Sequence, residues 1–206
     1  MPTPSYAKPI LPAAAVLAPG VAFAHHVMGG ATPATFTQGL LSGLGHPIIG
    51  IDHLAFLLAV GIAVGASGLP LLTPAIFVAA SALGVALHLQ GIALPAGEFL
   101  VAASVLLIGI VVAIGPRFSV GALCTLFALA GFGHGHAFGE SIVGAEPSPV
   151  YAYLLGLSVI QMATTTAVTL LLRKLSERMT VVVSRTVGLA VAAVGVAGMT
   201  AQVYGF

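Results

Sequence analysis

From residue 47 onward, apolar stretches of roughly membrane-spanning length, about 20 residues, follow one another with only short turns between them. Charged residues make up 5% of the chain, against about 25% in soluble domains. A chain this poor in charge cannot cover its outer surface in water. Lipid is the solvent that accepts apolar surface on every side, and disorder is excluded because disordered chains are polar. The sequence therefore predicts an all-α, polytopic membrane bundle.

Six spans are expected, at 47–66, 71–91, 98–115, 119–139, 150–172 and 183–203. Turn signals separate them at Ser67 to Pro70, Leu94 to Gly97, Gly115 to Arg117 and Gly144 to Pro149, and the last break is the charged stretch from Arg173 to Thr180. Before the bundle, Lys8, the apolar run from Ile10 to Phe23 and the sequence Ala22-Phe23-Ala24 read as a signal peptide over residues 1–24, cleaved after Ala24. An uncleaved anchor helix is the alternative. Residues 25–46 are expected to form an exported N-terminal segment with a short helix around Phe36 to Leu44, and residues 47–206 a six-helix transmembrane domain.

An exported N-terminus puts loops 67–70, 116–118 and 173–182 in the cytoplasm. Arg117, Arg173, Lys174, Arg178 and Arg185 all lie in or beside them, as the positive-inside rule requires. Both mature termini are then expected on the exported side of a multi-pass membrane protein. No cluster of Lys and Arg exists to neutralise nucleic-acid phosphates. No G-x-x-x-x-G-K-[ST] loop exists to hold ATP. The single cysteine, Cys124, rules out an internal disulfide and a thiolate-rich metal site.

The seven histidines outnumber the six Lys and Arg residues, and they are grouped. Ionisable groups inside a span cost about 2.5–3.5 kcal/mol each on insertion scales, which marks them as functional. One group is His46-Pro47-Ile48-Ile49-Gly50-Ile51-Asp52-His53. Pro47 suits the first position of a helix, so span one is expected to start there. On a straight helix His46 and His53 share a face but stand about 10.5 Å apart. One ion reaches both only if the chain before Pro47 folds back. Asp52 is either a ligand or the acceptor of an N–H from a ligand histidine.

The other group is Gly133-His134-Gly135-His136-Ala137-Phe138-Gly139-Glu140. His136 and Glu140 are four apart and share a helix face, while His134 points elsewhere if the helix is regular. The expected topology brings both groups, with His88, His25 and His26, to the exported side. Imidazole with carboxylate suits nickel, cobalt, zinc or copper better than calcium or magnesium. The metal set read from the sequence is His46, Asp52, His53, His134, His136 and Glu140, with accessory capture by His25, His26 and His88. Gln161, Met162 and Thr164 to Thr166, mid-span in the fifth helix, either line an inner path or pack through hydrogen bonds.

The pattern His46-Pro-x-x-Gly50-x-Asp52-His53 resembles the signature of the HupE/UreJ family of bacterial nickel/cobalt permeases. The segment from His134 to Glu146 resembles that family's second conserved region, with Phe138 where the family carries a further histidine. The resemblance implies secondary transport of Ni2+ or Co2+ for hydrogenase or urease metallocentres, with the ion as substrate and no prosthetic group. It implies His46, Asp52 and His53 as the main functional residues, followed by His134, His136 and Glu140. It implies no enzymatic activity, and the sequence is compatible with a homo-oligomer. The rival classes are a metal-binding or sensing membrane protein that does not transport, and an intramembrane metalloenzyme.

Overall fold

The structure, a computed structural model, describes residues 31–205. The expected signal segment, its cleavage point and His25 and His26 lie outside the described residues. Within them the chain is all-α: α1 (Phe36–Ile49), α2 (Ile51–Ala66), α3 (Ala75–Leu89), α4 (Gly97–Ile114), α5 (Val120–Gly139), α6 (Pro147–Leu172) and α7 (Glu177–Tyr204), with a 3-10 turn over Glu140–Ile142 after α5.

Helix starts follow local chemistry. Thr35, Ser119 and Ser176 cap α1, α5 and α7, each hydroxyl accepting the N–H three residues on. Pro147 opens α6 at a position that needs no N–H. Glu177 in the first turn of α7 favours the positive end of the helix dipole. That start lies six residues ahead of the expected span boundary at 183, so the expected cytoplasmic loop 173–182 shrinks to the few residues before Glu177.

Among the described residues, four helices, α4 to α7, are long and apolar enough to cross a membrane, and the α1–α2 pair counts as a fifth if its two bent halves form one span. Helix α3 has 15 residues, a rise of about 22 Å, short of the hydrocarbon thickness of about 30 Å.

The largest departure from expectation is at the first span. It does not begin at Pro47. Helix α1 runs straight through Pro47 to Ile49, and α2 starts at Ile51 after a bend of 77°. Proline lacks the N–H that would bond back to residue 43 and so weakens the last turn of α1. The chain turns three residues later, at Gly50. Gly50 closes one helix by donating its N–H to the His46 carbonyl, and opens the next by accepting the N–H of Leu54. Both main-chain groups of Gly50 are therefore satisfied, which an apolar solvent demands.

Helix α3 packs along α5, α4 along α7, and α1 and α2 along α6. A core of Phe56, Val60, Phe77, Val105, Ile108 and Phe127 joins α2, α3, α4 and α5. A smaller one of Val85, Phe138, Ile142, Tyr153 and Leu157 joins α3, α5 and α6. Outward faces carry Leu72, Leu129, Tyr151 and Leu189, each at least 65% exposed. Such apolar exposure suits contact with acyl chains.

The two ends of the bundle differ in chemistry. At one end Arg173 donates to the carbonyl of Leu69, in the turn after α2. At the other lie His46, His53 and Tyr153. Tyr153 and Arg173 are separated along α6 by about 30 Å of helical rise, close to one hydrocarbon thickness.

Candidate metal site

The bend at Gly50 provides the folding back that a shared site required. His46 sits in the last turn of α1 and His53 in the first turn of α2. Their ring centroids are 5.6 Å apart, and the side chains are 3% and 4% exposed. The two rings therefore come together across the bend, where a straight helix would have held them about 10.5 Å apart.

Each ring is held by others. His46 Nδ1 lies 2.9 Å from the hydroxyl of Tyr153 and 2.9 Å from that of Ser141. The Tyr153 hydroxyl donates to the carbonyl of Phe138 at 2.9 Å. A tyrosine has one proton to give, so a hydrogen bond from His46 to Tyr153 has Nδ1–H as the donor, with Ser141 Oγ as a second acceptor at that N–H, and leaves the lone pair on Nε2. His53 Nδ1 lies 2.8 Å from Nδ1 of His134. His134 is fully buried, with Nε2 3.0 Å from Ser104 Oγ on α4.

Asp52, half-buried, accepts the main-chain N–H of His53 at 2.8 Å. The N-terminus of α2 also favours a negative charge there.

His134 and His136 are two residues apart on a regular helix and so project about 200° apart. His134 turns toward α2 and α4, and His136 turns toward α3. His136 Nε2 donates to the carbonyl of Ile92 at 2.8 Å, and its ring faces His88 Nδ1 at 3.2 Å. Glu140, expected on the face of His136, caps the end of α5 and is exposed, while His136 is buried. The candidate residues thus divide into a centre of His46, Asp52, His53 and His134 and a second pair, His88 with His136. Among the described residues, no three His, Cys, Asp or Glu side chains gather closely enough to enclose one ion.

Phe138 packs against both rings of the centre. Its ring lies 5.0 Å from that of His46 and 4.3 Å from that of His53. It fills the place beside both where a third imidazole would stand. Ser104, Ser141 and Tyr153 contact the histidines but were not selected from the sequence. Ser141 follows Glu140 within the second motif, which was a usable signal. Ser104 and Tyr153 lie in apolar helices with no local pattern to mark them. Gln161, Thr165 and Thr169 are buried; Gln161 donates to Ser81 of α3 and Thr169 to the Gly61 carbonyl of α2, while Thr165 donates to the Gln161 carbonyl within α6.

Comparison with known proteins agrees with the sequence pattern. The family model described as HupE / UreJ protein matches residues 13–198. Protein HupE of Rhizobium leguminosarum bv. viciae is 31% identical over 136 residues, 65% of this chain and 68% of that one. No solved structure matches.

Proposed function

The chain belongs to the HupE/UreJ family, and from that premise we propose that it is a secondary permease carrying Ni2+ or Co2+ across the bacterial inner membrane, to supply hydrogenase or urease metallocentres. The observation that carries the proposal is the buried pair of rings, His46 and His53, set 5.6 Å apart by a bent helix pair beside the Asp52 carboxylate. Buried imidazoles in an apolar bundle are costly unless they are used.

Two imidazoles and one carboxylate, completed by water, form a mixed N/O set that first-row divalent ions accept. A carrier must also let its cargo go, so a sparse site fits better than a closed cage. His134, His136 and Glu140 extend the polar surface around the centre, and His88 with His136 offers a second imidazole pair for capture. The chain crosses six times in this reading, with α3 as the short crossing, and both termini are periplasmic. The histidines then face the periplasm and the arginines the cytoplasm. Transport runs on a gradient without ATP, and the activity is carriage rather than catalysis.

Uptake of Ni2+ and Co2+ by cells expressing the protein tests the proposal. His46→Ala and Asp52→Ala should each abolish uptake at unchanged abundance in the membrane. Normal uptake by both variants would refute the site. Metal binding by the purified protein without uptake would favour a sensing role.

A further inference from the structure

Resting on the permease reading, we propose that His134 is a positioning residue and not a ligand, the middle member of a hydrogen-bond chain that fixes which nitrogen of His53 meets the metal. The chain is read from its anchored end. Ser104 Oγ lies 2.7 Å from the carbonyl of Val101, one helical turn earlier. A carbonyl only accepts, so the single hydroxyl proton of Ser104 goes there. Ser104 Oγ is also 3.0 Å from Nε2 of His134. With its proton committed, the hydroxyl accepts at that contact, and His134 carries its proton on Nε2. The Nδ1 of neutral His134 is then a lone pair. It faces His53 Nδ1 at 2.8 Å, a contact that needs one proton and one lone pair. The proton belongs to His53 Nδ1, and the lone pair of His53 stands on Nε2.

His46 reaches the same state through Tyr153 and the Phe138 carbonyl. Two separate chains, anchored on carbonyls of α4 and α5, therefore give both rings the same tautomer. A metal-ligating histidine characteristically donates its other ring N–H to a fixed acceptor, and such partners set ring orientation and basicity. His134 differs from the usual carbonyl or carboxylate acceptor in being an imidazole that is itself oriented. The packing supports a fixed placement. His134 is fully buried, wedged between Phe56 at 4.6 Å and Phe77 at 5.8 Å between centroids. Both of its nitrogens are engaged by the two contacts just described, so a ligand role would require breaking one of them.

The test uses the full-length protein in detergent with Ni2+ alone as the probe. Nitrogen-15 NMR of the metal-free protein should find His53 protonated on Nδ1. Ser104→Ala and His134→Ala should lose that preference and weaken Ni2+ binding about 10–100-fold. His134→Gln should keep binding within about threefold, because its amide oxygen accepts from His53 and its NH2 donates to Ser104. X-ray absorption should count the same imidazoles on Ni2+ in that variant, and one fewer in His53→Ala. The inference is overturned if His134→Gln loses as much affinity as His53→Ala and one imidazole with it, or if metal-free His53 carries its proton on Nε2. If His53 has the expected tautomer but the wild-type protein binds no Ni2+, the metal reading fails, and the role given to His134 fails with it.

Discussion

The histidine end and the α4–α7 seam solve opposite problems with the same helices. Along the seam, Gly109 and Gly188 bring two backbones together, and a Cβ at Gly188 would meet the Ala113 main chain and the Gly109 carbonyl at 2.5–2.8 Å. The groups that meet at these glycines are main chain and alanine, and small residues let helices approach where no hydrophobic effect drives them. At the histidine end the helices are held together by hydrogen bonds between side chains that lipid would reject singly. Lipid exacts a cost for these polar groups, so their retention points to use. The seam has no such surplus.

If this contrast is right, stability and transport should separate by region. Gly188→Val should have the largest effect on the folded state. Overpacking typically costs about 1–3 kcal/mol, and with backbone on the far side the seam has little room to give. The thermal midpoint in detergent should fall while uptake per folded molecule holds; a specific loss of uptake would break the comparison. Phe138→His comes next and should act on the other region alone. A third imidazole beside His46 and His53 should tighten Ni2+ binding on the order of tenfold, about 1.4 kcal/mol, and slow release. Calorimetry checks the first and efflux the second; unchanged affinity would mean the ion sits away from Phe138. His88→Ala should be the mildest. As an outlying capture group, its loss should raise the half-saturating metal concentration about two- to fivefold at an unchanged maximal rate. A fall in the maximal rate would place His88 in the transport step itself.

The class of fold was legible because lipid imposes its demand on nearly every residue: the boundaries of α4 and α5 lie within one residue of those expected. The first span was misread for a local reason. Proline marks both the start of a helix and the weak last turn of one, and the choice at Pro47 depends on α6 packing along α1. Topology placed both histidine groups at the same end, but the contact of His53 with His134 came only from the structure. Ser104 and Tyr153 could not be found that way. A hydroxyl 30 or more residues distant becomes a partner only through the rotation of its helix, which a sequence of near-uniform hydrophobicity does not record.

Gly131, Gly135 and Gly139 recur every four residues along α5 and face Phe77, Ser81 and His88 of α3, while Gly84 answers from α3 against Phe132 and His136. Two helices whose main chains touch over successive turns cannot roll or slide without collision. They behave as one stiff beam. His134 and His136 ride on that beam, so their spacing is fixed for the life of the fold. The turn at Gly50, by contrast, is a joint of one residue between His46 and His53.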